Sequence, residues 1–245
     1  MVQQGGRQFA QDCVCRVARR AERMLQRALL PKKFQFCSFE NYETMHDAKN
    51  TFLAKALFAS RRFVEGYPLE NAGKGLLFTG SSGLGKTHLA VSILRSLILE
   101  KGATGVFWEH KQFLEELKAI YTSGNKGAED KLLKFATQCD VLVIDDLGDI
   151  TPSDWSWDTT SHILNARYNE NLSTIVTTNL ENRPGILGNA IEPVDRFSQS
   201  KPVMTRQTLG DRIGERMRSR LQEMCVVVEM KGEDFRQKVK RASFG

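Results

Sequence analysis

The segment GLLFTGSSGLGKT, residues 75–87, decides the fold of this 245-residue chain. Its first five residues are apolar or small and predict a buried strand. Apolar residues then recur at helical spacing from residue 85 to about residue 100. The turn between them fits G-x-x-x-x-G-K-[ST], a pattern that cradles a phosphate chain when it joins a strand to a helix. The segment therefore predicts a nucleoside-triphosphate site.

Each residue type in this loop has a chemical role. Glycines let backbone N–H groups point at a phosphate, and the helix N-terminus adds a favourable dipole. Lys86 would reach the β- and γ-phosphates, and the Thr87 hydroxyl would hold Mg²⁺. A chance Gly/Ser turn would rarely place all four motif positions between a strand and a helix. The predicted ATP-binding residues are Gly80, Ser81, Ser82, Gly83, Leu84, Gly85, Lys86 and Thr87.

Strand and helix patterns alternate along the rest of the chain. Further strands are predicted at residues 104–108, 141–144, 173–178 and 226–229. Helices are predicted at 46–66, 110–122, 127–138, 155–170 and 210–224, with a short basic helix after the last strand. The uninterrupted apolar run 141–144 is typical of a strand buried on both faces. The alternation predicts the α/β class, with an open parallel five-stranded sheet and helices on both faces.

Polar side chains follow two of these strands. Asp145 and Asp146 follow the apolar run, and Asn179 follows the predicted strand segment IVTT at 175–178. The carboxyl edge of a parallel sheet is where ligand chemistry collects. Asp145 is therefore a candidate Mg²⁺ ligand, Asp146 a candidate base for water, and Asn179 a candidate water-orienting amide. The alternative for Asn179 is an ordinary turn residue.

Arginines crowd the segment LGDRIGERMRSRLQEM, residues 209–224. They are Arg212, Arg216, Arg218 and Arg220. A charged helix is usually a solvated face, but phosphoryl transfer gains about 10³–10⁵ in rate from an arginine supplied by a neighbouring subunit. Beyond the last strand, Arg236 is placed to reach the γ-phosphate within the same chain.

The charge of the chain is uneven. Residues 1–33 hold eight basic and two acidic side chains, which accounts for the whole net charge of +6. Helical spacing from residue 14 to residue 29 puts arginines on one side and apolar residues on the other, and Pro31 ends the helix. A solvated surface helix and a docking helix for DNA or protein fit this pattern equally well. Deletion of residues 1–33 is expected to weaken such docking and to spare ATP hydrolysis.

Composition excludes several classes of protein. With 41% hydrophobic residues the chain is too apolar to be wholly disordered. Its apolar runs fall short of the roughly 18 residues that span a bilayer, so no membrane partner is expected. The first residues lack the apolar stretch of a signal peptide, and five scattered cysteines indicate a reducing compartment. A cytoplasmic protein is the simplest expectation.

Five segments in a fixed order resemble the AAA+ ATPases of the DnaC/IstB family. They are GSSGLGKTHLA, VLVIDDLG, TTNL, GERMRSRL and GEDFR, within a resemblance that covers residues 36–240. The resemblance implies Walker A at residues 80–87, Walker B at Asp145 and Asp146, and sensor 1 at Asn179. It implies Arg220 as the trans-acting finger and Arg236 at the sensor 2 position. It also implies two domains, a basic arm at 1–35 and an AAA+ domain with a minimal lid at 36–245.

The N-terminal segment resembles the end of a small zinc module and its basic helix. Relatives of this kind carry a C-x-x-C before a C-x-C, whereas only Cys13 and Cys15 stand here, with Cys37 far downstream. Structural zinc normally takes four protein ligands. A complete intrachain zinc site is therefore not expected. A form that begins further upstream and a loss of the metal are both open explanations.

The resemblance implies a DNA-associated ATPase that loads or remodels a partner on DNA. A loader of the hexameric replicative helicase is the first interpretation, and a helper of a transposase is the second. Single- or double-stranded DNA and further copies of the ATP-bound chain are the other expected partners. Two interpretations from other classes stay open at this stage, a small-molecule P-loop kinase and an adaptor that binds ATP as a switch.

Overall fold

A computed structural model describes residues 2–4, 7–9, 14–44, 51–151, 153–185 and 207–238. Two short antiparallel strands pair at the start of the chain, β1 (Val2–Gln4) and β2 (Arg7–Phe9). Five strands form the central sheet: β3 (Gly75–Thr79), β4 (Gly105–Glu109), β5 (Val141–Asp145), β6 (Ser173–Thr178) and β7 (Cys225–Glu229). All are parallel, in the order β4-β5-β6-β3-β7. The predicted fold class is confirmed.

Helices lie before, between and after the central strands. They are α1 (Val14–Arg27), α2 (Thr51–Gly66), α3 (Lys86–Lys101), α4 (His110–Thr122), α5 (Lys126–Gln138), α6 (Asp154–Asn169), α7 (Leu209–Ile213), α8 (Glu215–Met224) and α9 (Phe235–Lys238). A 3₁₀ turn at Lys32–Phe34 follows α1. The described part of the predicted 46–66 helix begins at Thr51, and residues 45–50 lie outside the described ranges.

The prediction of one helix over 210–224 was wrong, because the chain breaks into α7 and α8 at Gly214. Gly214 has a φ of 76°, in the left-handed region that favours glycine. A Cβ atom added there would lie 2.4 Å from the ring of Trp157. The break therefore depends on a contact with α6, which helical spacing cannot reveal.

The core lies on both faces of the sheet. In β5, Val141 and Val143 belong to the apolar cluster that also holds α3, while Leu142 and Ile144 belong to the opposite cluster with α4 and α6. All four side chains are buried. This two-sided burial explains the uninterrupted apolar run in the sequence, and it places Asp145 at the end of a strand held from both sides.

Helix α1 packs on the central domain. The apolar side of α1, with Met24 and Leu25, packs in the same core cluster as α3, as does the completely buried Ala28 just after the helix. At its end, the N–H of Phe107 on edge strand β4 donates to the Ala28 carbonyl at 2.9 Å. The described part of the predicted basic arm therefore shares the apolar core of the central domain. Removing residues 1–33 would strip apolar contacts from this core, so point substitutions test the charge of the arm better than deletion does.

Within the described residues, no helix combines the length and the apolar character required to cross a bilayer.

Candidate functional site

The glycine-rich loop turns between β3 and α3, with other parts of the chain close on both sides. Gly83 and Gly85 have φ values of 79° and 82°. A Cβ atom at Gly83 would lie 1.8 Å from the Asp234 carboxylate, and one at Gly85 would lie 2.5 Å from the Tyr42 ring. Glycine is thus required here both for backbone conformation and for close approach of segments from the two ends of the chain.

Lys86 points back into the loop. Its ammonium donates to the carbonyls of Gly80 at 2.9 Å and Ser81 at 2.7 Å, and to Oδ1 of Asn179 at 2.7 Å. Burial lowers the pKa of Lys86 to about 8; the charges of Asp146 and Asp145 oppose this shift. The lysine therefore presents a desolvated cationic donor in the loop, as phosphate binding requires.

Thr87, Asp145 and Thr177 converge at the ends of three elements. The hydroxyl of Thr87 donates to Oδ1 of Asp145 at 2.8 Å, and that of Thr177 donates to the same oxygen at 2.6 Å. Burial raises the pKa of Asp145 to about 6, although both hydroxyl hydrogen bonds oppose this shift. Such a hydroxyl and carboxylate oxygen pair is the donor chemistry that Mg²⁺ prefers, so these residues fit the metal.

Asp146 and Asn179 lie beside this pair. The backbone of Asp146 has a positive φ of 54°, and its N–H donates to the Thr177 hydroxyl at 3.0 Å. Its Oδ1 accepts a hydrogen bond from Nδ2 of Asn179 at 3.2 Å. Asn179 thereby bridges Lys86 and Asp146. The structure brings together Lys86 and Thr87 of the loop with Asp145, Asp146 and Asn179 of the two strand ends.

A cavity of about 540 Å³ opens over the loop. Asp146 and Asn179 lie at one side of it, with the loop residues from Ser82 to Thr87. Further wall residues come from 34–44, a stretch for which the sequence predicts neither a strand nor a helix: Phe34, Asn41, Tyr42, Glu43 and Thr44. The hydroxyl of Tyr42 donates to the Leu84 carbonyl at 2.9 Å, and its buried ring packs edge-on against His88 with centroids 5.4 Å apart.

The sequence held one weak signal for this missed wall, the aromatic and polar cluster FENY at 39–42 just ahead of the predicted domain core. Its role depends on contacts more than forty residues away along the chain, such as that between Tyr42 and Leu84.

Arg236 also lines the cavity, at the start of α9. Its side chain is exposed, and its charge adds to the lowering of the Lys86 pKa. The Phe235 N–H donates to the Gly83 carbonyl at 3.1 Å, which fixes the start of α9 against the loop. Arg236 therefore lies in the wall of the cavity, close enough to Lys86 for their charges to interact.

The arginines of α7 and α8 have four different environments. Arg218 is buried and pairs with Glu215, with Nε 2.9 Å from Oε2. Arg220 donates to Asn165 and lies 5.0 Å above the Tyr168 ring. Arg216 is exposed. Arg212 lines a small cavity of about 60 Å³ shared with Asp146 and Asn179. The three arginines of α8 do not line the 540 Å³ cavity, so any role there requires a second copy.

Among the described residues, no group of three or more His, Cys, Asp or Glu side chains could hold a metal ion. Cys13 lies outside the described ranges, and the side chain of Cys15 is not described. Cys37, Cys139 and Cys225 are buried and form no disulfide. The expectation about zinc thus concerns a part of the chain that this structure does not describe.

Proteins of similar sequence identify the family of this chain. The profile of the family described as IstB-like ATP binding protein matches residues 6–184. The chain belongs to the IstB-like ATP-binding family. Similar curated proteins include the replicative helicase loader DnaC of Buchnera aphidicola subsp. Schizaphis graminum, 30% identical over 74% of this chain and 70% of that protein. DnaC of Escherichia coli K12 is 27% identical over 75% of this chain and 72% of its own length.

Solved structures of similar proteins agree with this family. A crystal structure of the DnaC helicase loader matches with a TM-score of 0.64 and 32% identity, over 82% of this chain and all of that one. A crystal structure of DnaI has a TM-score of 0.59 at 24% identity, over 84% and 94% of the two chains, and is similar in fold. This IstB-like chain is thus an AAA+ P-loop ATPase in fold, as its loop and sheet order indicate.

Proposed function

We propose that this IstB-like protein binds Mg²⁺ and ATP, hydrolyses the ATP, and uses the cycle to load a replicative helicase onto DNA. The main support for hydrolysis is that Asn179 bridges Lys86 and Asp146 through hydrogen bonds to both. This bridge links a phosphate-binding cation to a carboxylate at the carboxyl edge of the sheet. An ATP-binding switch would need the loop alone, whereas hydrolysis also needs groups that handle water.

The residues divide the work as follows. Backbone N–H groups of the loop and the Lys86 ammonium would hold the phosphates, and Thr87 with Asp145 would hold Mg²⁺. The metal would supply positive charge that offsets the negative charge of the phosphates. Asp146 accepts a proton from the attacking water, and Asn179 fixes the direction of both Asp146 and that water. Arg236 adds positive charge at the γ-phosphate within the same chain.

The apolar part of the cavity wall would take the nucleobase. Phe34 and Leu53 supply apolar surface in this wall, and Tyr42 is held in place by its hydrogen bond to the Leu84 carbonyl. The side chain of Asn41 is already engaged, since it donates to the Phe36 carbonyl and accepts from the Ser38 N–H. Base binding here would therefore rest on apolar contact more than on side-chain hydrogen bonds.

An arginine from a second copy would complete the site. Arg220 is our sequence-based choice, and its contacts with Asn165 and Tyr168 hold it against α6. Arg216, on the same helix, is exposed and is the alternative. Both require a homo-oligomer in the ATP-bound state, because the α8 arginines do not line the nucleotide cavity of their own chain.

Helicase loading is the first choice of work because similar curated proteins are named replicative helicase loaders. Such work would bring this chain to a hexameric helicase and DNA in the cytoplasm. Transposition help is the second candidate, since the matching family profile is described as IstB-like. The partner, a helicase or a transposase, distinguishes the two.

Two substitutions test the chemistry. Lys86→Ala should abolish ATP binding, because it removes the cation of the loop. Asp146→Asn should keep binding and lower turnover by about 10²–10⁴, the usual worth of a general base. The matched control is Asp158→Asn, which changes an exposed carboxylate on α6. This variant should hydrolyse ATP like the wild type. Binding is measured with a fluorescent ATP analogue and turnover by release of inorganic phosphate.

The same assay separates the alternatives. Phosphate release without any added acceptor supports an ATPase and argues against a small-molecule kinase. Full turnover by Asp146→Asn would remove the base assignment. Co-purification with a hexameric replicative helicase supports loading, whereas co-purification with a transposase in its place would overturn it.

A further inference from the structure

Helix α1 presents two contrasting sides. Arg19, Arg20, Arg23 and Arg27 are exposed, whereas Ala21, and Ala28 just after the helix, are buried. At helical spacing the arginines share one side of the helix and the apolar residues share the other. We call the four arginines the α1 stripe. About 12 Å of helix axis separates its first and last residues at 1.5 Å per residue.

The α1 stripe is held on a fixed support. Met24 and Leu25 pack with Ala28 in the core cluster of α3, and the Ala28 carbonyl accepts the N–H of Phe107 at 2.9 Å. The chain then continues through the 3₁₀ turn to Phe34, whose ring lies 6.2 Å from that of Phe107. Because α1 is anchored in this way, its arginines need little further ordering when they bind a ligand.

The charges of the stripe are not neutralised by the part of the chain that is described. Its four guanidinium groups make no ion pair or hydrogen bond with any described residue. Arg61 and Arg62 on α2 offer a contrast, since they lie 3.3 Å from Glu40 and Glu70 respectively. The chain from residue 34 onward has no net charge, so the stripe lies in the segment that carries the excess.

This surface fits a polyanion better than a folded protein partner. Protein interfaces have an apolar centre, but the apolar side of α1 is already covered by the core. Duplex DNA carries about one negative charge per 1.7 Å of axis, which matches a short row of closely spaced arginines. Arginine also forms bidentate hydrogen bonds with phosphate.

We propose that the α1 stripe is a docking surface for the phosphodiester backbone of nucleic acid. The proposal rests on the proposed function for its expectation that the protein works on DNA, and it names the surface that DNA contacts. Contacts to phosphate alone carry no sequence information. The stripe therefore binds DNA of any sequence and fixes its position relative to the ATPase domain.

The test compares two double substitutions that remove equal charge. Arg23→Gln with Arg27→Gln removes half of the stripe, and Arg61→Gln with Arg62→Gln is the control on α2. Arg, Lys and Gln have similar helix propensities, so circular dichroism should show the same helix content in all variants. Binding to fluorescein-labelled single- and double-stranded oligonucleotides is measured by anisotropy from 0.05 to about 0.3 M salt.

Two lost phosphate contacts should lower affinity about 15- to 30-fold at 0.15 M salt and reduce the slope of log K against log salt by about 1.5 to 2. The control should bind like the wild type, and Arg23→Lys with Arg27→Lys should keep most of the affinity. Unchanged binding and slope in Arg23→Gln with Arg27→Gln would overturn the proposal. Equal loss in the control, or no DNA binding by the wild type, would also overturn it.

Two further readouts keep this test separate from the proposed function. ATP hydrolysis is measured on the same samples, and its absence in the wild type counts against the proposed function alone. Loss of helicase binding with DNA binding retained would assign the stripe to an acidic protein and overturn docking of nucleic acid.

Discussion

Asp145 and Asp146 are neighbours in the chain but have different surroundings. Asp145 is buried and accepts hydrogen bonds from Thr87 and Thr177. Asp146 follows with a positive φ, which turns its side chain out of the strand direction and into contact with Asn179. A candidate metal ligand and a candidate base are thus adjacent in the chain but differ in environment, because the strand ends between them.

Burial shifts the pKa values of Asp145 and His110 in opposite directions. Burial raises the pKa of Asp145 from 3.8 to about 6, so between these values the folded protein holds a proton that the unfolded chain has lost. This contribution lowers the free energy of unfolding as pH rises. Burial lowers the pKa of His110 from 6.5 to about 4, so there the unfolded chain holds the extra proton and the free energy of unfolding rises with pH. The two contributions oppose each other in one pH range.

Substitution should separate these contributions. With a chelator present and no nucleotide, Asp145→Asn removes the contribution that falls as pH rises. From pH 4 to pH 6 the free energy of unfolding of this variant should therefore rise relative to that of the wild type, by up to about 3 kcal/mol. His110→Asn should show the reverse difference. Urea unfolding at half-unit pH steps measures both. Curves that stay parallel to the wild type across this range would contradict the assignment.

At the scale of elements, Arg167 on α6 joins the ends of two others. Its guanidinium is completely buried and donates to the carbonyls of Ala136 and Cys139 at 2.8 Å each, and of Ser173 at 2.7 Å. Burial lowers its pKa, although nearby Cys139 opposes the shift. The end of α5 and the start of β6 are thereby fixed by one side chain, at the edge of the sheet opposite the nucleotide cavity.

Arg167→Met should therefore destabilise the domain strongly. Methionine fills much of the same volume but leaves three buried carbonyls without this donor, and we expect a loss of about 3–5 kcal/mol. Arg61→Met is the control, since its ion pair with Glu40 is exposed and worth less than about 1 kcal/mol. Chemical denaturation measures both. A loss below about 1 kcal/mol in Arg167→Met would show that other donors replace the guanidinium.

At the scale of the whole molecule, the nucleotide cavity draws its walls from both ends of the chain. Phe34 and Tyr42 come from before β3, and Phe235 and Arg236 from after β7. The arginines of α8 face elsewhere. A cavity built within one chain but lacking these arginines is consistent with activity that depends on assembly.

Mixing experiments test that dependence. Arg220→Ala and Arg216→Ala should each bind ATP, and the one that removes the finger should lose turnover. Mixing that variant with Asp146→Asn should restore part of the activity, because an intact site then meets an intact arginine across a mixed interface. Phosphate release at a fixed total protein concentration measures the effect. Full activity of both arginine variants alone would rule out Arg216 and Arg220 as the finger.

The amino-acid sequence by itself determined the α/β class, the phosphate-binding loop and the polar residues at the ends of β5 and β6. These features are local, because strand and helix periodicities and glycine turns are encoded in neighbouring residues. The edge at which Asp145, Asp146 and Asn179 meet also follows, since parallel strands end on the same side of a sheet.

Only the tertiary structure decided what joins residues far apart in the chain. It seated α1 on the edge of β4, broke the last charged helix at Gly214 against Trp157, and closed the cavity with Tyr42 and Arg236. It also buried Arg167 among carbonyls at the end of α5 and the start of β6. Local patterns show which side of an element is apolar, but the partner of that side depends on how whole surfaces pack, which no short stretch of sequence contains.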